Sequence, residues 1–220
     1  ENGMTSTQYA LGQRYIGAGA EQGEIVLRQV PGNALGAYLN GATIQVYGNA
    51  QDATGDTMND GTIVVHGSCG DATGYAMRGG SIYMEQDAGY RCGIHMKEYE
   101  EKKPVIVIGG RCGSFLGEYQ AGGLLVVLGI GWEDRCPVGN FCGTGMHGGR
   151  IYLRTEHLPP DLPAQVVVRD AGEEDLRLLE PLLENFCAYF GREKSSLLAS
   201  HYFVLTPNTK NPYKQLYVNN

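Results

Sequence analysis

No two of the six cysteines are spaced as CxxC, and a thiolate zinc or iron–sulfur site draws on two such close pairs. Cys136 and Cys142 are the nearest pair, so the thiols read as buried and reduced, as in a cytoplasmic protein. Charged residues are scarce at 19%, and acidic ones outnumber basic ones to a formal net charge of −7. That balance argues against a nucleic-acid binder, which would usually show a basic face. No apolar run approaches the roughly 18 residues of a membrane span; the stretches Val105–Ile108 and Leu124–Leu128 are strand-sized. The first residues lack the basic start and apolar core of a secretory signal, so the expected location is the cytoplasm. The five histidines form neither HxH nor HExxH, and neither GxxxxGK[ST] nor GxSxG occurs. No residue is expected to be catalytic, to bind a cofactor or to hold a metal.

Glycine is abundant instead, at 33 of 220 residues. Collagen would place it at every third residue, and that pattern is absent. The glycines punctuate a longer repeat. Apolar residues recur at Ile25, Ile44, Ile63, Ile82, Ile106, Leu125 and Ile151, at intervals of 19, 19, 19, 24, 19 and 26. Gly17, Gly36, Gly55, Gly74, Gly93, Gly117 and Gly143 keep step with them. So do Ala20, Leu39, Met58, Met77, Met96, Gln120 and Met146, three residues after each glycine. Three registers advancing together define one repeating unit.

Each unit holds one short β-branched stretch, such as Thr43–Tyr47 or Thr62–His66. A single strand per unit cannot bury its own face, so the units must stack and pair their strands. The expected fold is all-β: a single-stranded right-handed parallel β-helix of about seven 19-residue coils with a short α-helical C-terminal tail. The coils span 10–155, a proline-marked linker and last strand span 156–172, and a helical tail at 173–220 packs on or caps the coils. In that tail Leu176, Leu179, Leu183, Phe186 and Phe190 suit a helix that Pro181 should kink or split. The corner glycines are Gly36, Gly55, Gly67, Gly70, Gly74, Gly93, Gly110, Gly113, Gly117 and Gly143, needed for positive φ or tight packing.

The two long intervals are insertions at corners, Lys97–Pro104 and Ile130–Cys142, the second holding the only tryptophan, Trp132. Such loops are candidate partner contacts, and tryptophan is enriched at interface hot spots. Arg78 and Arg91 sit beside glycines near successive corners and are the other candidate interface residues, able to hold a partner's carboxylate. Asp52, Asp71 and Asp87 do not converge in the pairs a calcium site requires. A sugar-binding or carbohydrate-active protein would want an aromatic strand face; Tyr83 and Tyr152 occupy equivalent rungs, but Val107 and Val126 lie between them.

The spacing G-xx-G-xxx-G is complete at Gly67, Gly70 and Gly74 and again at Gly110, Gly113 and Gly117. It is degenerate at Gln29/Gly32/Gly36, Gly48/Gln51/Gly55, Gln86/Gly89/Gly93 and Cys136/Gly139/Gly143. With the stretches Gly48–Met58, Gly74–Gly80 and Gly143–Gly149, the sequence over about residues 10–155 resembles the GXGXG domain of glutamate synthase large subunits. The C-terminal segment with Pro212, Tyr213 and Lys214 resembles the end of those subunits more weakly. The resemblance implies a non-catalytic scaffold in a split glutamate synthase. It would brace an FMN/iron–sulfur synthase subunit against a glutamine amidotransferase subunit and help wall an ammonia passage. FMN and the cluster would belong to the partners, and the amidotransferase cysteine too, since the chain begins Glu1, Asn2, Gly3. The formylmethanofuran dehydrogenase subunit that carries this repeat, and methylamine–glutamate methyltransferase-type subunits, are similar as well, so those assemblies stay open. A homo-oligomer of the isolated chain is also an open state.

Overall fold

The computed structural model describes residues 9–208. The chain ends quoted above, Glu1 to Gly3 and Pro212 to Lys214, lie outside the described residues. Seven strands pair in parallel, each with the next: β1 (Glu24–Leu27), β2 (Asn40–Val46), β3 (Asp60–Val65), β4 (Ser81–Met84), β5 (Val105–Ile108), β6 (Ala121–Val127) and β7 (Gly148–Arg154). Their register follows the isoleucine repeat: Ile25 opposes Ile44, Ile44 opposes Ile63, Ile63 opposes Ile82, and so on to Leu125 opposite Ile151. Between strands, each unit runs through a set of turns that bond to the turns of its neighbours.

After β7 the chain forms β8 (Val166–Asp170), α1 (Glu173–Phe190), α2 (Lys194–Leu198) and β9 (Tyr202–Pro207). β9 lies antiparallel along β7, and β8 lies antiparallel outside β9. The result is one nine-stranded sheet in the order β1-β2-β3-β4-β5-β6-β7-β9-β8. This corrects the expected fold class. The molecule is a mixed sheet with two helices, not an all-β, single-stranded β-helix. The reason lies in Tyr202–Pro207, whose apolar, β-branched stretch satisfies the open backbone edge of β7 by hydrogen bonding. A returning strand occupies the edge, and α1 packs on the face of the sheet.

Two apolar layers flank the sheet. On its inner face Ile44, Ile63, Ile82, Ile106, Leu125 and Ile151 form a fully buried column, with Met58, Met77 and Met96 beside it. Each such side chain is worth about 1.5–3 kcal/mol in burial. On the outer face Tyr83, Val107, Val126 and Tyr152 are covered by Leu179, Leu183 and Phe186 of α1. That stripe recurs at helical spacing, and α1 runs unbroken through Pro181 rather than splitting there. The same helix covers Tyr83 and Tyr152, so the strand face that a sugar-stacking platform would need is closed.

Asp175 fastens α1 to the sheet. One carboxylate oxygen accepts the Gly172 N–H at 2.9 Å, as a helix-start cap does. Arg169 of β8 and Tyr152 of β7 donate to the same carboxylate at 2.6–3.1 Å and 2.9 Å. The Arg169 guanidinium holds the Asp175 carboxyl well below the usual range, against the opposing effect of its burial.

Candidate functional site

Three residues per unit adopt the left-handed backbone conformation, at alternate positions. In one unit they are Ala53, Gly55 and Thr57, at φ 58°, 69° and 51°. Ala53 donates its N–H forward to Asp71 O, Gly55 donates backward to Leu35 O, and Thr57 donates forward to Tyr75 O. The alternation bonds each turn to the units on both sides. Only the middle position points inward. A Cβ at Gly55 would sit 2.5 Å from Ile82 Cδ1 of the next unit, so the isoleucine column dictates glycine there. Gly36, Gly74, Gly93, Gly117 and Gly143 occupy the same middle position.

Most of the outer two left-handed positions carry side chains, at a steric cost that glycine would avoid, and in the later units these side chains reach the surface. In the last three units they hold Arg91, Phe115 and Phe141 in one row, and His95 and Tyr119 followed by Gly145 in the other. The Arg91 guanidinium lies 4.4 Å from the Phe115 ring centre, and Phe115 stacks on Phe141 at 5.3 Å. In the second row Tyr75 meets the edge of His95 at 5.8 Å, and His95 stacks on Tyr119 at 5.2 Å. A Cβ at Gly145 would overlap the Tyr119 ring, which therefore lies flat against the final unit. An ion pair between Arg91 and Glu118, 2.8 Å long, ties the two rows together. Tyr75, Tyr119 and Phe141 are 40%, 46% and 43% exposed. Rings already stacked and held on a hydrogen-bonded backbone lose little freedom on docking, which favours their use as a contact surface.

The candidate residues separate to different corners. Arg91 lies in the ring rows. Arg78, just before β4, donates its backbone N–H to Met58 O at 2.8 Å, while its enclosed Nε lacks an acceptor among the described residues. Trp132 sits in the corner insertion, with the guanidiniums of Arg111 and Arg135 over its ring at 4.9 and 4.3 Å. Among the described residues no hydrogen bond, ion pair or ring contact joins the three.

Gly67, Gly70, Gly110 and Gly113 lie at the corner after the strand, where the neighbouring unit comes close. A Cβ at Gly70 would overlap Asp52 Oδ1. That oxygen accepts the Asp71 N–H at 2.8 Å, and Asp71 Oδ1 in turn accepts the Tyr90 N–H at 2.8 Å. Asp87 Oδ1 does the same for the Arg111 N–H at 2.8 Å. The aspartates thus satisfy backbone donors between units. The described residues contain no group of three or more His, Cys, Asp or Glu arranged to hold a metal.

The six cysteines are free thiols. Burial pushes the Cys69 thiol up to about 12. A hydrogen bond with Cys112 and then burial hold Cys92 well above its ordinary value. At the end of β7 a cleft of about 270 Å³ is lined by Glu133, Arg154, Thr155, Glu156, Ala199, Ser200 and His201. His201 Nδ1 faces Thr155 O at 2.6 Å and its Nε2 faces Asp170 Oδ1 at 2.8 Å. The hydrogen bond to Asp170, then that to Thr155, raises its pKa. No helix among the described residues is long and apolar enough to cross a membrane.

Residue-type reasoning singled out Arg91 but missed the rings around it. The signal was available: read two places before and two places after each repeating glycine, the sequence gives Arg91, Phe115, Phe141 and His95, Tyr119.

A family model described as the GXGXG motif matches residues 3–210. The chain is 49% identical over 215 residues to the uncharacterized protein MJ1350 of Methanocaldococcus jannaschii, with 94% of this chain and 82% of that protein covered. A chain in the crystal structure of the formyltransferase/hydrolase complex (FhcABCD) from Methylorubrum extorquens, in complex with methylofuran, superposes with a TM-score of 0.68. The identity is 24%, over 86% of this chain and 68% of that one, which makes the likeness one of fold.

Proposed function

The chain belongs to the GXGXG motif family, and from that membership we propose that it is a non-catalytic scaffold subunit of a split glutamate synthase. The observation that carries a docking role is the double row of stacked rings, Arg91–Phe115–Phe141 and His95–Tyr119, displayed at left-handed positions. Hydrogen bonds from strands and turns alike join every unit to the next, so the rows sit on a stiff base. Stiffness has a chemical use: partners that pass a reactive intermediate need a fixed relative placement, and small displacements are costly. In this reading the ridge holds one of two partners, an FMN/iron–sulfur synthase subunit or a glutamine amidotransferase subunit. The stack helps wall the ammonia passage between them. FMN and the cluster reside on the partner.

The solved FhcABCD complex favours a second reading, a scaffold subunit of a formyltransferase/hydrolase-type assembly. Reconstitution separates the two. The chain, combined with the flavin synthase and amidotransferase subunits, is expected to raise glutamate formation from glutamine and 2-oxoglutarate. Phe115→Ala with Tyr119→Ala is expected to weaken assembly by about ten-fold or more. Equal glutamate formation without the chain refutes the proposal; assembly with formyltransferase subunits instead selects the second reading.

A further inference from the structure

The corner insertion after β6 presents a contact of a different kind from the ring rows. Its turn closes through Trp132 N–H to Gly129 O at 2.9 Å and Arg135 N–H to Trp132 O at 3.3 Å. Glu133 accepts the Gly131 N–H at 3.2 Å and lies 3.7 Å from Arg154, which anchors the turn to β7. The turn places the Arg135 guanidinium 4.3 Å from the Trp132 ring centre. From the neighbouring unit the Arg111 guanidinium reaches the same ring at 4.9 Å. Arg111 is fixed by its backbone, which donates to Asp87 Oδ1 at 2.8 Å and accepts from Ala88 N–H at 3.0 Å.

Two cations on one indole repel each other unless an anion is near. Arg135 has Asp134 at 3.2 Å, but that carboxylate is 77% exposed and screened by water. Arg111 has no ion pair among the described residues. The chain as a whole carries −7, so this cationic corner runs against its general charge. Tryptophan and arginine are also the residue types that dominate interface hot spots.

We propose that the Arg111–Trp132–Arg135 corner is a docking contact for an acidic segment of a partner protein, whose aspartate or glutamate side chains supply the missing counter-charge. The guanidinium edges not turned to the indole offer paired N–H donors to such carboxylates. The proposal rests on the reading that the chain works docked to partners, but it does not depend on which complex they form. Its test therefore uses the isolated chain, and failure of the glutamate synthase reading leaves it standing.

Trp132 is the chain's only tryptophan and serves as the reporter. Iodide is expected to quench it more strongly than caesium, the reverse of the order for a net-negative surface. A hexaglutamate peptide at low salt is expected to change its emission saturably, and hexalysine to leave it unchanged. Arg111→Gln and Arg135→Gln, with circular dichroism unchanged, are expected to weaken the hexaglutamate response by about ten-fold or more. Anisotropy of a labelled hexaglutamate peptide reads the same binding independently of the indole. Three results overturn the proposal: no saturable response to hexaglutamate, an equal response to hexalysine, or an equal response to inorganic phosphate, which marks a free-oxyanion site.

Discussion

Replacing Gly55 by alanine tests whether the middle left-handed position is set by the backbone or by the isoleucine column. Two penalties are separable. The left-handed conformation costs alanine about 1–2 kcal/mol, partly offset by about 0.4–1 kcal/mol from the stiffer unfolded chain. Ala53, two residues earlier at φ 58°, already tolerates that conformation. The second penalty is steric: the new methyl would lie 2.5 Å from Ile82 Cδ1, while Ile82 Cγ1 and Ile63 Cδ1 stand clear at 3.5 and 3.6 Å. Such overpacking costs about 1–3 kcal/mol, so Gly55→Ala is expected to lose about 2–4 kcal/mol in total. Ile82→Val removes the one offending carbon and alone costs about 0.5–1.5 kcal/mol. The double variant is therefore expected to be more stable than Gly55→Ala alone, by about 1 kcal/mol or more. Urea unfolding followed by circular dichroism and fluorescence measures all four corners of the cycle. Strict additivity, with the double variant the least stable, would refute a steric origin.

Three further outcomes follow from the same contacts. Asp71→Asn keeps an oxygen for the Tyr90 N–H and is expected to change stability by no more than about 0.5 kcal/mol, whereas Asp71→Ala loses about 1–2 kcal/mol. Asn33, which serves the Asp52 N–H in the same way, is the native precedent. Asp175→Asn is expected to cost about 2–3 kcal/mol at neutral pH, because Arg169 loses its charged acceptor. Since the folded pKa of Asp175 is depressed, the wild-type contribution is present above the unfolded value near 3.9 and lost as pH falls through the folded one; urea titrations across acid pH read it. Both ring nitrogens of His201 face oxygens that only accept, so the folded state favours the imidazolium. Its contribution is complete below about pH 6.5 and fades as pH rises through the raised folded value. An NMR titration with melting curves at acid and mildly alkaline pH checks this, and a His201→Gln protein that keeps the full pH dependence counts against it.

The part of the fold that repeats was legible because its physics repeats. Ile44, Ile63 and Ile82 face the same interior in successive units, so one spacing encodes the pairing that the strands adopt. The tail carries no period, and its partners are remote. Nothing in Tyr202–Pro207 names β7 as its neighbour, so the sequence leaves the tail to pack on or cap the coils without placing an antiparallel strand along β7. That Asp52, Asp71 and Asp87 each accept a backbone N–H one unit away required coordinates. The ring rows lay between those cases. Their columns could be read from the glycine register, while the stacking of Phe115 on Phe141 depended on how the left-handed positions aim outward.

A sheet extended by copying one unit along one direction still has two unlike ends. Each strand from β2 to β7 rests on a neighbour to either side, but among the described residues β1 has a strand on one side only, with Val26 44% exposed. At the other end β9 and β8 close over β7, and Asp175 and His201 pin that closure. Opening is therefore expected to begin at β1 and travel inward, as a zipper parts from its free end. The molecule would then have a polarity of persistence: amide hydrogens exchanging with solvent earliest in β1 and latest near β6 and β7. The ring rows and the tryptophan corner both sit toward the slow end, where the surface keeps its shape longest.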